Sequence, residues 1–407
     1  MQSLDELGRI GAYDAGNGVM GVRRLALSDE DATGRRLVMS WFEQAGLAVS
    51  IDQIGNAYAD RPGADPALAP VMAGSHVDSV PTGGRFDGAL GVLSALEAVR
   101  TLNDLSITTP RPITIAYFTD EEGCRFGTDM LGSAVATDRI PLADARALRD
   151  ADGISVGDEL DRLDFAGPEP VGQRRPHAFV ECHVEQGPIL AREGYDLGVV
   201  TGVQGISWRR LTLVGSAAHA GATPTDYRKD AGLAAAQINV RLREMCVSGE
   251  FGELRATMGV IRPEPGSVNV IPGRVTATVD LRNPDADALA AAERTLDNFC
   301  RELAESSGVH ITWQQTARTP PVIFDEHVRV VIASVADRLA LRHRPIVAGA
   351  GHDAQEWSRL CPTAMIFVPG ENDGISHNPL ELSTPEQCGH AADALLNTIV
   401  TLAGEGA

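Results

Sequence analysis

The chain contains several short apolar runs that end in, or are followed by, polar side chains. VMAGSH (71–76), ITIAYF (113–118) and AFVECH (178–183) combine β-branched or aromatic residues with small ones, which predicts buried strands. EDATGRRLVMSWFEQAG and GALGVLSALEAVRTL have the apolar spacing of helices. Because strands and helices alternate, we expect an α/β fold with a central, mostly parallel sheet flanked by helices.

The pattern changes between about 206 and 321. ISWRRLTLVG, ELRATMGVIR and RVTATVDLR alternate apolar and polar residues. One helical segment, RKDAGLAAAQINVRLREM, follows the first of these strands, and another, DADALAAAERTLDNFCRELAES, follows the third. This β-α-β-β-α-β order predicts a small α+β domain. Strand–helix alternation resumes after 322. We therefore expect one catalytic domain, 1–205 with 322–407, interrupted by a smaller inserted domain at 206–321.

Composition narrows the classes of partner. The 407 residues carry a formal net charge of −20, which argues against nucleic acid as a ligand. No apolar stretch reaches the length of a membrane span, and MQSLDELGRI lacks the features of a secretory signal. The six cysteines form no CxxC pair, so we expect reduced thiols and a cytoplasmic protein. Cys124 and Cys182 are interpreted as packing residues, with a nucleophilic role as the alternative.

Histidine and carboxylate side chains, which can bind metals, stand at or just after the ends of the predicted strands. His76 and His183 end two of them, Glu121 and Glu122 follow a third, and His377 follows FVPG. Chemistry in open α/β sheets collects beyond the carboxyl ends of the strands. With Asp87 added, the set suits two divalent metals bridged by a carboxylate and a water. One of the adjacent glutamates is then a ligand, and the other is free to act as a base.

The segment GSHVDSVPTGGRFDGALGV (74–92) carries the strongest signal. We expect His76 to bind a metal through one ring nitrogen while Asp78 orients the other. The two carboxylate oxygens of Asp87 can bridge two ions. Glycines 83, 84 and 88 let the backbone approach the site closely. The alternative is an ordinary glycine loop that holds a surface aspartate.

Four further residues are candidates for substrate binding. Gln186 in ECHVEQGP suits an amide or ureido group, and Arg282 in DLR suits a carboxylate. His219 in HAGATP and Asn269 in NVIPG belong to the inserted domain, as does Arg282. Singly, these are ordinary surface residues, but together they favour a substrate clamp. His352 in GAGHDA is a possible metal ligand, but we prefer His377.

The motifs GSHxDSVxxGGxFDGxLGV, EEGxRF, HxEQGP, HAGxTP, NVIPG and GAGHDA occur in this order. Their combination resembles the hydantoinase/carbamoylase family of amidases, within the dinuclear-metal aminoacylase and carboxypeptidase superfamily. The resemblance implies two divalent metals per subunit, Zn²⁺ first, with Mn²⁺, Co²⁺ or Ni²⁺ as alternatives. It also implies that the inserted domain is a dimerisation and lid domain of a homodimer, with His219 reaching the site of the partner subunit.

The resemblance further implies a role for each candidate. One metal takes His76, Asp87 and His183, the other takes Asp87, Glu122 and His377, and Glu121 is the base. Gln186, His219, Asn269 and Arg282 bind the substrate, and His219 also stabilises the transition state. The Asp87–Gly88 peptide bond is expected to be cis.

The expected activity is hydrolysis of a linear amide or ureido C–N bond in a small carboxylate-bearing substrate. The first candidate is an N-carbamoyl-L-amino acid, which yields the amino acid, ammonia and carbon dioxide. Allantoate amidohydrolase and β-ureidopropionase are close alternatives, and an N-acyl-amino acid hydrolase or dipeptidase is a more distant one. His183 favours the carbamoylase side, because peptidase branches of the superfamily often have an acidic residue there. A non-catalytic binding protein is the alternative from another class.

Overall fold

The computed structural model describes residues 1–406, and the chain divides into two compact units. Unit 1 comprises Met1–Gly202 together with the chain from Ile323 onward, and unit 2 comprises Val203–Val322. Within the described residues, no helix combines the length and the apolar character needed to cross a membrane.

The strands are β1 (Ala12–Gly16), β2 (Val19–Val22), β3 (Ala48–Ile51), β4 (Ala57–Arg61), β5 (Val71–His76), β6 (Ile113–Phe118), β7 (Ala178–Val184), β8 (Leu197–Val203), β9 (Gly205–Val214), β10 (Ala218–His219), β11 (Arg255–Thr257), β12 (Ile261–Glu264), β13 (Val270–Ile271), β14 (Arg274–Asn283), β15 (His310–Thr319), β16 (Val322–Ile323), β17 (His343–Ala348) and β18 (Thr363–Val368). The helices are α1 (Gln2–Leu7), α2 (Asp29–Gln44), α3 (Ala89–Asp104), α4 (Leu131–Ala136), α5 (Leu142–Ala147), α6 (Val156–Leu163), α7 (Ile189–Glu193), α8 (Ala231–Val247), α9 (Ala286–Ser307), α10 (Glu326–Arg338), α11 (Asp353–Trp357), α12 (Glu371–Gly374) and α13 (Pro385–Ala403).

Unit 1 is built on a nine-stranded sheet in the order β16-β8-β18-β7-β5-β6-β4-β3, with β17 paired to β8. The four central strands, β18, β7, β5 and β6, are parallel, whereas β8, β4 and β3 pair antiparallel to their neighbours. Every residue of the central four is buried, as expected for a parallel sheet covered on both faces. The predicted α/β class with a central, mostly parallel sheet is confirmed.

Helices α3, α10 and α13 pack together against the sheet, and α2, α4 and α11 contact it separately. Capping side chains fix several helix starts. Thr384 and Gln387 form a reciprocal capping box at α13, and Ser28 accepts the Asp31 N–H at the start of α2. These helices cover the sheet and so bury its central strands.

Unit 2 contains an antiparallel sheet in the order β11-β14-β9-β15, with β12 also paired to β14. Alternate residues of β14 are buried, and they pack with α8 and α9 in one apolar core. The predicted strand ELRATMGVIR is two strands, β11 and β12, because residues 258–260 leave the sheet between them. A separate pair, β10 with β13, carries the loop segments HAG and NVIPG.

Candidate metal centre

The parallel centre of the unit 1 sheet places three candidate segments side by side. His76 ends β5, Glu121 follows β6 by three residues, and His183 lies near the end of β7. The loop after β18 adds His377. Because neighbouring parallel strands end at the same edge, residues far apart in sequence meet there.

Two groups of ligand-type side chains meet at Asp87. His76, Asp87 and His183 form one group, and Asp87, Glu122 and His377 form the other, with ligand atoms within 4.8 Å of one another in each. Oδ1 of Asp87 lies 2.9 Å from Nε2 of His183 and 3.5 Å from Nε2 of His76. Oδ2 lies 3.3 Å from Nε2 of His377. Each oxygen of Asp87 therefore faces a different group.

The adjacent glutamates point to different histidines. Oε2 of Glu122 lies 3.3 Å from Nε2 of His377, whereas Oε2 of Glu121 lies 3.5 Å from Nε2 of His76. Both glutamate side chains are largely buried, and His377 is half-exposed. The second group therefore lies on the solvent side of the cluster.

The ring orientations and the unpaired atoms fit a bound cation. Nδ1 of His76 donates to the carbonyl of Asp78 (3.0 Å), and Nδ1 of His183 donates to the carbonyl of Val184 (2.8 Å). These bonds turn each Nε2 toward Asp87. Among the described residues, Nε2 of His76 and Oε1 of Glu122 are buried without a hydrogen-bond partner. Buried polar atoms of this kind require a partner, and a metal ion supplies one.

Burial and mutual repulsion shift the titration of the cluster. Burial, together with the charge of Asp87, raises the pKa of Glu122 to about 8, and burial raises the pKa of Glu121 well above its usual range. A hydrogen bond to Asp87 raises the pKa of His377 to about 9. Burial works against ionisation of Asp87, but His183 and the other histidines hold its pKa well below the usual range. The cluster thus carries protons that a divalent cation can displace.

Asp78 orients His76 through its backbone. Its carbonyl accepts the hydrogen bond from Nδ1, whereas its carboxylate lies 3.8 Å from that nitrogen. The Asp78 side chain faces the N–H groups of Glu121 and Glu122, at 3.4 and 3.3 Å. Asp78 therefore connects the β5 loop to the turn that carries both glutamates.

The expectation of a cis Asp87–Gly88 bond is wrong. Among the described residues, the cis peptide bond is Glu264–Pro265. Gly88 instead adopts φ +62° and ψ −53°, and the Ala89 N–H donates to the Asp87 carbonyl at 2.6 Å, which makes a γ-turn. A Cβ on Gly88 would lie 2.4 Å from the His76 ring, so this position requires glycine.

Gln186 lies beside the cluster of candidate ligands. Its Nε2 lies 2.9 Å from Oδ2 of Asp87 and 3.3 Å from Nε2 of His377. Its Oε1 is buried and has no hydrogen-bond partner among the described residues. The amide is therefore held through its nitrogen, and its oxygen remains available to a donor such as an N–H group.

The structure brings two of the three inserted-domain candidates together. His219 pairs with Val270 across the two-stranded sheet, and the Ala220 N–H donates to the carbonyl of Asn269. Nδ1 of His219 accepts the N–H groups of Gly221 (3.0 Å) and Ala222 (3.1 Å), which leaves the ring hydrogen on Nε2. Both His219 and Asn269 are exposed.

Arg282 lies on β14 and pairs with Asp280 two residues away. Its Nε lies 3.1 and 3.0 Å from the two Asp280 oxygens, and Nη2 lies 2.9 Å from one of them. The guanidinium is partly exposed. Its charge is thus shared with a neighbouring carboxylate.

Two residues at the cluster were missed from the sequence. Ser376 and Glu381 contact Asp87 or its backbone, and both lie in the segment ISHNPLE that was singled out only for His377. Glu185, by contrast, caps α7 by accepting the N–H groups of Ile189 and Leu190. The polar residues on either side of His377 were the sequence signal that could have identified Ser376 and Glu381.

The two thiols beside the site differ. All six cysteines are free; Cys182 is buried, which matches the packing interpretation, whereas Cys124 is exposed, which does not. Partial burial of the thiol, followed by the charge of Glu122, raises the pKa of Cys124 to about 11, so its thiolate is rare at neutral pH.

Comparison with known proteins identifies the family. Residues 72–401 match the peptidase family M20/M25/M40. The chain is 42% identical over 401 residues to the N-carbamoyl-L-amino-acid amidohydrolase of Rhizobium meliloti, covering 98% of this chain and 95% of that protein. It is 33% identical over 383 residues to the allantoate amidohydrolase of Escherichia coli strain K12, covering 93% and 92%. An amidase of the hydantoinase/carbamoylase family from Burkholderia multivorans, solved by crystallography, matches with a TM-score of 0.97 and 42% identity, covering 100% of this chain and 97% of that chain.

The fold and the two ligand groups that share Asp87 define an α/β protein with candidate metal-binding groups. The chain belongs to the peptidase family M20/M25/M40 and, within it, to the hydantoinase/carbamoylase amidases. The family resemblance inferred from the motifs is confirmed.

Proposed function

We propose that the chain hydrolyses the ureido C–N bond of an N-carbamoyl-L-amino acid to give the L-amino acid, ammonia and carbon dioxide. The observation that carries this proposal is Asp87, which presents one oxygen to each of two ligand groups beside a further buried carboxylate, Glu121. The relatives named as N-carbamoyl-L-amino-acid amidohydrolases support the choice of substrate.

In this proposal two divalent ions bind at Asp87. One takes His76, Asp87 and His183, and the other takes Asp87, Glu122 and His377. Zn²⁺ is the first candidate for this set of nitrogen and carboxylate donors, with Mn²⁺, Co²⁺ and Ni²⁺ as alternatives. When bound, such ions polarise a carbonyl group and lower the pKa of a bound water.

Glu121 is the general base and then the general acid. Its carboxylate lies at the edge of the cluster, beside His76, without belonging to either ligand group. It accepts a proton from the attacking water and donates it to the leaving nitrogen as the C–N bond breaks. Its neighbour Glu122 cannot take this role, because its carboxylate is committed to the group of His377.

Four side chains bind the substrate. His219 donates its Nε2 hydrogen to the oxygen that becomes negative during attack on the carbonyl, a role that its fixed tautomer suits. Oε1 of Gln186 accepts an N–H of the ureido group. Asn269 hydrogen-bonds the substrate beside His219. Arg282 pairs with the substrate carboxylate, for which it exchanges part of its contact with Asp280.

The proposal includes three further features. Unit 2, which approximates the segment 206–321, is the dimerisation and lid domain of a homodimer, and its His219 acts in the site of the partner subunit. The segments 1–205 and 322–407 form the catalytic domain. The enzyme is cytoplasmic, in agreement with six free cysteines.

A substrate panel tests the proposal directly. Metal-free protein is reloaded with Zn²⁺ or Mn²⁺, and ammonia release is measured with several N-carbamoyl-L-amino acids, their D-enantiomers, N-carbamoyl-β-alanine and allantoate. Production of amino acid from an N-acetyl-L-amino acid is measured alongside. We expect the highest kcat/KM with an N-carbamoyl-L-amino acid and little turnover of the D-enantiomers.

Other outcomes of the panel have definite meanings. Preference for allantoate would favour the second candidate, which the 33% identical Escherichia coli relative supports. Preference for N-carbamoyl-β-alanine or the N-acetyl compound would favour a β-ureidopropionase or an acylase. No turnover of any compound by metal-loaded protein would contradict hydrolase activity on this class.

A further inference from the structure

A buried carboxylate, Glu381, lies behind the Asp87 loop. Its side chain is 7% exposed, and its Oε2 accepts the N–H groups of Phe86 (3.0 Å) and Asp87 (3.2 Å). These contacts join residues 295 and 294 positions apart in the chain. The space for the carboxylate exists because residue 84 is glycine, where a Cβ would lie 2.3 Å from Oε2. Glu381 therefore holds the backbone on which Asp87 is presented.

The hydroxyl of Ser376 lies between two carboxylates. Its Oγ is 2.7 Å from Oε1 of Glu381 and 3.0 Å from Oδ2 of Asp87. A hydroxyl has one hydrogen, so it donates to one of these oxygens at a time. The shorter contact is with Glu381, which indicates that the hydrogen points away from Asp87.

The direction of this hydrogen matters because Oδ2 of Asp87 has two lone pairs. The amide nitrogen of Gln186 lies 2.9 Å from this oxygen and occupies one of them. The other faces His377 in the second ligand group. A hydrogen bond from Ser376 would compete for this remaining lone pair and leave Asp87 unable to serve that group.

We propose that Glu381 is a positioning residue that takes the Ser376 hydrogen and thereby keeps Oδ2 of Asp87 free to bind the second metal. The inference rests on the metal groups of the proposed function. Glu381 acts on the metal through Asp87 and Ser376. Ser376 immediately precedes His377, so the same contact also fixes the loop that carries the other ligand of that group.

Glu381→Gln reverses the hydrogen bond with little change in shape. The amide oxygen of the new side chain faces the N–H groups of Phe86 and Asp87, because the amide nitrogen would repel them. That nitrogen then donates to Oγ of Ser376, whose own hydrogen turns to Asp87. The double variant E381Q/S376A lacks this hydroxyl, so the competing hydrogen bond is removed.

The test is a calorimetric titration of metal-free protein with Zn²⁺ alone, which measures the number of ions bound and the affinity of each. Mass spectrometry checks the metal content. We expect wild type to bind two ions. E381Q should weaken one of them by about 10–100-fold, the range typical for loss of an outer-shell partner, and leave the other unchanged. E381Q/S376A should recover the wild-type affinity, and S376A alone should retain it. Thermal unfolding of each metal-free variant serves as the folding control.

Several results would overturn the inference. E381Q that binds both ions as wild type does would exclude the role of Glu381. A double variant as weak as E381Q would make Glu381 a structural support only, and a wild type that binds one ion would remove the second site. If E381Q does not fold, S376A decides, because tighter binding of the second ion would place the wild-type hydrogen on Asp87. Failure of ureido hydrolysis in metal-loaded wild type would overturn the proposed function without changing this titration.

Discussion

Substitution of Gly88 by alanine gives the most direct test of the site geometry. Gly88 is the central residue of the γ-turn that joins Asp87 to helix α3, at φ +62° and ψ −53°. This conformation is strained for any residue with a Cβ, at a cost of about 1–3 kcal/mol. A Cβ would also lie 2.4 to 2.5 Å from three atoms of the His76 ring.

The ring cannot move away freely. His76 is fully buried, and its Nδ1 is held by the carbonyl of Asp78. To restore ordinary contact, the ring must withdraw by about 1 Å, and forced overpacking of this kind costs about 1–3 kcal/mol. We therefore expect G88A to lower the free energy of unfolding of the metal-free protein by about 2–6 kcal/mol. The displaced Nε2 should also weaken Zn²⁺ binding by at least about tenfold.

Gly389 provides the matched control. It lies in helix α13, and a Cβ there would meet no atom within 4 Å. G389A should therefore raise the free energy of unfolding by about 0.5–1 kcal/mol and leave metal content unchanged. Urea unfolding of the metal-free proteins and metal analysis of the reloaded ones measure both effects. Equal stability and equal Zn²⁺ content in G88A and wild type would refute the account of this turn.

Four further predictions concern catalysis and pH. Glu121→Gln should retain metal and lose about 10²–10⁴ in kcat, whereas Glu122→Gln should lose metal first; similar metal content and turnover in both would contradict their different roles. His219→Ala should lower kcat by about 10²–10³ with unchanged metal content, and wild-type kcat would exclude it as an oxyanion donor. Arg282→Lys should lower kcat/KM on a carboxylate substrate by an amount equivalent to about 2 kcal/mol of transition-state stabilisation. An equal loss on a neutral ureido compound would argue against carboxylate pairing. Burial raises the pKa of Asp52 to about 6, so its native state binds a proton more tightly than the unfolded chain. Relative to D52N, wild type should lose up to ~3 kcal/mol of stability as the pH rises from about 4 to 6, and a constant difference in urea unfolding would contradict this.

The sequence by itself determined the elements and the chemical inventory. The apolar run ITIAYF and the alternating run RVTATVDLR identify their strands, because the spacing of apolar residues is a local property of the sequence. Histidines and carboxylates after those strands identified the ligand candidates that the structure brings together at Asp87. The ordered motifs were enough to identify the family, because their spacing is specific.

The tertiary structure decided how those residues contact one another. Glu381 meets the Asp87 loop only because the sheet order places β18 two strands from β5, which no local pattern specifies. The carbonyl of Asp78, rather than its carboxylate, orients His76, and Arg282 pairs with Asp280. Local sterics fix strands and helices from a few neighbouring residues. Hydrogen-bond partners between distant loops depend instead on strand order and on the space left by packed side chains.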